Sequence, residues 1–197
     1  GDEIILTEPL YANYLGFAIP AGIKVRTITT KIEDGFALPA VEKFEELINE
    51  KTKAILICNP NNPTGSLYTP EEMDQIRDMV KKHDLLLFSD EVYREFVYSG
   101  EPLASFMQLG RGYENLILID SVSKRFSACG ARVGCIVSKN KDLMDSVMKI
   151  AQGRLCCPTL EQVGAAALYR LDRSYYDKAR EEYEARRDAV YEELMKI

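Results

Sequence analysis

The chain has 197 residues, 46% of them hydrophobic and 28% charged, the composition of a folded soluble domain, which excludes disordered and collagen-like chains. A chain of this length buries roughly 70% of the surface its unfolded form exposes, enough for one self-sufficient core. With 31 acidic against 25 basic residues the net charge is -6, so no general attraction to nucleic acid or anionic lipid is expected.

Apolar, β-branched runs predict strands at 3–7, 23–29, 54–58, 85–89, 115–120 and 132–137, several of them continuous rather than alternating, as in strands buried on both faces. Helical patterns lie between them. Val41, Phe44, Leu47 and Ile48 share one face of a helix over 38–51, and a short helix falls near 103–109. A helix over 70–82 has a start signal: Thr69 at the N-cap, Pro70 at the first helical position, and Glu72 placed to close a capping box. Alternating strands and helices imply an α/β fold, a three-layer, mostly parallel sheet with helices on both faces. Between Asp120 and Arg132 there are too few residues for a parallel crossover, so 132–137 is expected to run antiparallel. After 140 the chain reads as helical, with breaks at 153–158 and 171–174. Tyr176, Ala179, Tyr183, Val190 and Leu194 form an apolar stripe on its heavily charged last helix, a stripe that needs a partner.

Five cysteines, Cys58, Cys129, Cys135, Cys156 and Cys157, show no CxxC spacing, which fits a reducing cytoplasm. The only histidine, His83, leaves no histidine-clustered metal site; at the end of a helix it reads as a cation placed on the helix dipole. No apolar run approaches the roughly 20 residues of a membrane span, so no membrane partner is expected. The chain opens on Gly1 without an initiator methionine, which suggests a piece of a larger protein.

In an open α/β sheet ligands bind beyond the carboxyl ends of the strands. Three such segments stand out. The strand 54–58 leads into Asn59-Pro60-Asn61-Asn62-Pro63-Thr64-Gly65; 85–89 leads into Asp90-Glu91-Val92-Tyr93; and 115–120 leads into Ser121-Val122-Ser123-Lys124, followed by Arg132. Singly, each has a plain reading: a turn, a solvated strand end, or a formal SxxK match without the companion motifs of serine-nucleophile enzymes. Together they supply what pyridoxal 5'-phosphate needs, namely an amine, a carboxylate for the pyridine nitrogen and a phosphate cradle. Lys124 can supply the amine, activated where a semi-buried site disfavours its ammonium form. Asp90 can hold the pyridine nitrogen protonated, Asn62 and Tyr93 can donate to the phenolate oxygen, and Ser121, Ser123 and Arg132 can bind the phosphate.

On these motifs, with Arg132 inside Ala131-Arg132-Val133-Gly134, the sequence resembles the class I and II aminotransferases of the fold-type-I pyridoxal-phosphate family. The resemblance implies a transaminase that moves an amino group between an amino acid and a 2-keto acid, aspartate or an aromatic amino acid being the substrates that family membership suggests. Lys124 is then the Schiff-base lysine and the catalytic acid and base, and Asp90, Asn62, Tyr93, Ser121, Ser123 and Arg132 are the coenzyme contacts. Tyr11 matches the aromatic ring that this family stacks on the coenzyme. Cis peptide bonds at Glu8–Pro9 and Asn62–Pro63 are implied as well. So is a chain covering the middle of the family's length: 1–172 as a partial large domain, and 173–197 as a helix leading toward an absent small domain. The phosphate-contacting loop and the arginine for the substrate carboxylate would lie outside it, the isolated chain would be inactive, and the parent would be a homodimer. The same lysine, aspartate and arginine would also serve a C–S lyase or an acyl-CoA-dependent synthase, or an aminotransferase-like sensor domain of a transcription regulator.

Overall fold

The computed structural model describes residues 1–100, 103–109 and 112–197. Its frame is one six-stranded sheet in the order β2-β1-β3-β4-β5-β6. The strands are β1 (Glu3–Glu8), β2 (Lys24–Thr29), β3 (Thr52–Cys58), β4 (Leu86–Asp90), β5 (Leu116–Ser121) and β6 (Gly134–Ser138). β1 to β5 pair in parallel. β6 runs antiparallel to β5, with Ser121 opposite Gly134. The β5–β6 connection holds only a one-turn helix and a 3-10 turn, so no crossover helix can form there.

Eight α-helices are present among the described residues: α1 (Asn13–Ala18), α2 (Val41–Glu45), α3 (Pro70–Lys82), α4 (Phe106–Leu109), α5 (Val122–Arg125), α6 (Lys141–Gly153), α7 (Thr159–Leu168) and α8 (Arg173–Leu194). α3 starts as its sequence predicts. Thr69 Oγ1 accepts from the Glu72 N–H at 3.2 Å while Glu72 Oε2 accepts from the Thr69 N–H at 2.7 Å, and Pro70 follows the cap. The helix expected over 38–51 is cut to α2. Past Glu45 the backbone tightens, Leu47 N–H donating to Phe44 O and Ile48 N–H to Glu45 O. Asn49 then ends the helix by turning its side chain to the Lys51 N–H at 2.8 Å and to Glu3 Oε2 at 2.8 Å, local bonds that compete with helix. α1 has no counterpart among the expected elements, because it has no side-chain cap and little apolar periodicity. Arg132 and Val133, expected to begin β6, precede it, since Arg132 closes the 3-10 turn at φ 54°.

One face of the sheet packs on α2, α3 and α4. Ile5, Ile55, Ile57 and Leu87 point into this core against Phe44, Met73, Ile76, Val80 and Phe106, all of them without solvent exposure. On the opposite face Ile4, Leu6, Leu56, Phe88 and Ile119 line an apolar cavity of about 300 Å³, closed at one side by Tyr14, Phe17 and Ala18 of α1. A second, smaller cluster joins Val122 and Phe126 to Ala165, Leu168, Tyr175 and Tyr176, fastening α7 and α8 to the end of β5. The stripe on α8 is partnered only in its first half: Tyr176 packs on Phe126 and Tyr183 on Phe96, whereas Val190 and Leu194 are exposed. Among the described residues no helix is long and apolar enough to cross a membrane.

Candidate active site

Parallel register brings the carboxyl ends of the central strands level. Cys58 of β3 lies opposite Asp90 of β4, and Asp90 lies opposite Ile119 of β5, one residue before Asp120. The segments that leave these ends enclose a polar cavity of about 220 Å³, below the roughly 300–1,000 Å³ usual for small-molecule sites. All eight residues singled out in the sequence line it: Tyr11, Asn62, Asp90, Tyr93, Ser121, Ser123, Lys124 and Arg132.

The loop after β3 runs from Asn59 to Thr69. Its Asn59–Pro60 and Asn62–Pro63 peptide bonds are cis, as is Glu8–Pro9 at the end of β1; the Asn59 bond is the one the sequence did not lead us to expect. Asn61 N–H donates to Ser66 O at 2.9 Å and Gly65, at φ 72°, donates back to Asn61 O at 3.0 Å, so the loop closes on itself. Asn62 is thereby aimed at Tyr93, its Nδ2 reaching the Tyr93 hydroxyl at 3.5 Å.

Asp90 is buried at the cavity floor. Its Oδ2 accepts from the Tyr14 hydroxyl at 2.6 Å and its Oδ1 from the Val92 N–H at 3.2 Å. Burial pushes the Asp90 carboxyl above the usual carboxylate range, against the pull of those two hydrogen bonds, and the negative charge of Asp120 adds to the rise. Burial likewise pushes the Tyr14 hydroxyl well above its ordinary value and the Cys58 thiol up to about 12, so both stay protonated beside the acid.

At the end of β5, Ser121 caps α5: its Oγ accepts from the Ser123 N–H at 3.0 Å and donates to the Ser123 hydroxyl at 2.8 Å. A hydroxyl committed in this way is a poor match for a serine nucleophile. β6 returns close by because Gly134 has no side chain; a Cβ there would stand 3.0 Å from Asp120 O. Arg132 lies just ahead of it, its Nη1 donating to Cys129 O at 3.0 Å and its guanidinium exposed at the cavity wall.

Lys124 departs from expectation. It is exposed rather than semi-buried, because one turn of α5 carries it to the cavity mouth, where its Nζ stands 5.4 Å from the Tyr93 ring centroid. Tyr11, 40% exposed, sets its ring edge-on to Tyr14 at 5.4 Å. Tyr14, Cys58, Val92 and Cys129 also line the cavity and were not singled out beforehand. Tyr14 carried one readable signal: it follows Tyr11 by one helical turn, visible only once 13–18 is known to be helix. His83 lies elsewhere, its Nε2 3.0 Å from Glu45 Oε1 at the end of α3. Among the described residues no group of three or more histidine, cysteine or acidic side chains could hold a metal ion.

The whole chain resembles proteins of one kind. It is 33% identical over 196 residues to aromatic-amino-acid aminotransferase 2 of Thermococcus litoralis, covering 98% of this chain and 50% of that protein. It is 34% identical over 198 residues to the aspartate aminotransferase of Thermotoga maritima, covering 100% of this chain and 51% of the relative. Among solved structures, the aromatic aminotransferase from Pyrococcus horikoshii OT3 superposes with a TM-score of 0.90 at 32% identity, over 100% of this chain and 52% of the other. The chain thus spans about half the length of the curated relatives it matches. The model of the family described as aminotransferase class I and II runs unbroken over residues 1–197, and to that family the chain belongs.

Proposed function

We propose that the protein containing this chain is a pyridoxal-phosphate-dependent aminotransferase, moving an amino group between an amino acid and a 2-keto acid. The family is one that depends on this coenzyme. The observation that carries the reading is one polar cavity in which the Asn62 amide, a buried acid, an amine, a pair of hydroxyls and a guanidinium converge from three segments distant in sequence.

The donor set suits the coenzyme's chemistry. A buried carboxylate at the floor matches a protonated ring nitrogen, Asn62 and Tyr93 offer hydrogen-bond donors for a phenolate oxygen, and Ser121, Ser123 and Arg132 match a phosphate dianion. When bound, pyridoxal phosphate supplies an electron sink for the charge left at a substrate's α-carbon. Everything else falls to the chain. Asp90, steadied by Tyr14 and Val92, would keep a proton on the ring nitrogen. Tyr11 would offer its ring as a stacking surface. Lys124 would hold the coenzyme covalently and afterwards carry the α-proton as general base and acid; that it lines the same cavity as Asp90 supports this.

We assign residues 1–172 to the larger part of a coenzyme-binding domain and 173–197 to a helix that leads to a smaller domain outside the chain. The exposed Val190 and Leu194 support this. In the full-length protein, incubation with pyridoxal phosphate followed by borohydride is expected to fix one phosphopyridoxyl group on Lys124. No adduct at that residue, or an equal adduct in Lys124→Ala, overturns the proposal. The 197-residue chain by itself is expected to bind the coenzyme weakly and to transaminate nothing, since Lys124, Arg132 and Tyr11 stand exposed in it.

A further inference from the structure

We infer that Arg125 is a positioning residue: its buried guanidinium straps the Lys124 turn to the Asp90–Glu95 loop and so sets the amine against the acid. The inference rests on the functional reading above and adds a residue to it.

The two segments that supply the proposed coenzyme contacts use alternate positions for a different purpose. Asp90 and Tyr93 face the cavity, while Glu91, Arg94 and Glu95 turn to its back; Ser121, Ser123 and Lys124 face it, while Asp120 and Arg125 turn to the same back. There they meet. Arg125 Nη2 lies 2.6 Å from Asp120 Oδ2 and its Nε 3.5 Å from Glu95 Oε1, with side-chain exposures of 10%, 8% and 17%. Arg94 crosses between the loops the other way, 3.8 Å from Glu91 Oε2 and 3.9 Å from Asp120 Oδ2. Tyr169, the residue that follows α7, covers the Arg125 guanidinium, its ring centroid 5.6 Å from Cζ.

Two features give the cluster its rigidity. Glu91 is 1% exposed, and its Oε1 accepts from Ser89, Ser105 and the Phe106 N–H, which ties the loop after β4 to α4. Glu91 Oε2 and Arg125 Nε are buried without a hydrogen bond, so they are held by opposite charge nearby. Buried charges persist only when paired, and a side chain between an acid of β5 and an acid of the loop after β4 cannot move without parting one of them. Lys124 is the residue next to Arg125 on a single helical turn, so what immobilises one fixes the start of the other. The charge of Asp120 bears on the Asp90 carboxyl, and Arg125 Nη2 pairs with that charge at 2.6 Å.

The test uses the full-length protein, its Arg125→Lys, Arg125→Gln and Glu95→Gln variants and the Glu95→Gln/Arg125→Gln double variant. Three quantities are read: pyridoxal phosphate affinity by absorbance, the fraction of bound coenzyme that borohydride fixes on Lys124 by mass spectrometry, and the thermal midpoint. Arg125→Gln is expected to weaken binding at least tenfold and to lower the fraction fixed on Lys124 at saturating coenzyme. Arg125→Lys, which keeps the charge and loses the two-armed reach, is expected to fall between it and the wild type. The double variant is expected to be no worse than Arg125→Gln, because Arg125→Gln already breaks the bridge to Glu95. A trapped fraction unchanged in Arg125→Gln, or additive losses in the double variant, overturns the inference. Should Arg125→Gln fail to fold, wild-type affinity and trapping in both Arg125→Lys and Glu95→Gln overturn it equally. Coenzyme that never reaches Lys124 in the wild type removes the functional proposal as well, whereas normal trapping insensitive to these variants removes only this one.

Discussion

Asp90 shows how a single position can work against the fold that holds it. Its carboxyl, like that of Glu91, sits above the ordinary range because burial outweighs the hydrogen bonds each accepts. A group raised in this way contributes stability that is complete below the ordinary carboxylate range and is lost as the pH climbs through the raised value. Asp90→Asn is therefore expected to stabilise the coenzyme-free protein at neutral pH, on the order of 1 kcal/mol, and the gain should vanish as the pH falls below the carboxylate range. Thermal melts of both forms across that range check the sign; a gain that grows in acid contradicts it. The same variant is expected to weaken coenzyme binding, the cost that would keep an acid in an apolar floor. Lys124→Ala is expected to lower transamination in the full-length protein by at least roughly 10²-fold, measured as keto acid formed. The identities of these residues were legible in the sequence, whereas the exposure of Lys124 and the hydroxyl that Tyr14 lends to Asp90 were not.

Among the elements, those with a local signature were readable and those without one were not. α3 carries its own start signal, and both arms of its capping box form. Thr69→Ala is expected to cost about 1 kcal/mol, read from urea unfolding, while Thr69→Ser should be nearly neutral. α2 was over-read because its apolar spacing continues to Ile48, yet Asn49 offers the backbone better bonds than one more turn of helix would. α1 was not foreseen at all. Six residues with a glycine and two aromatic rings have little helical preference, and this helix depends on Ala18 burying itself and on Tyr14 reaching Asp90, 76 positions away. The antiparallel β6 was readable because chain length alone forbids a crossover, although its first residue moved past Arg132.

For the molecule as a whole, one face of the sheet is sealed and the other is less complete. The sealed face holds the site's strand ends in register, so its integrity should matter to stability more than any surface contact. Phe44→Ala, at a position with no solvent exposure, is expected to cost about 3–5 kcal/mol in chemical unfolding. A loss under 1 kcal/mol would mean that this face does not carry the fold. Continuous apolar runs, turn residues and a capping box determined the layers, the strand order's parallel sense and the three loops where polar residues gather, because each is a property of neighbours along the chain. Whether those loops meet, how deeply Asp90 is buried, and which cations stand behind Lys124 were decided only in three dimensions. Such contacts join residues tens of positions apart, and their energy depends on desolvation that no single segment can express.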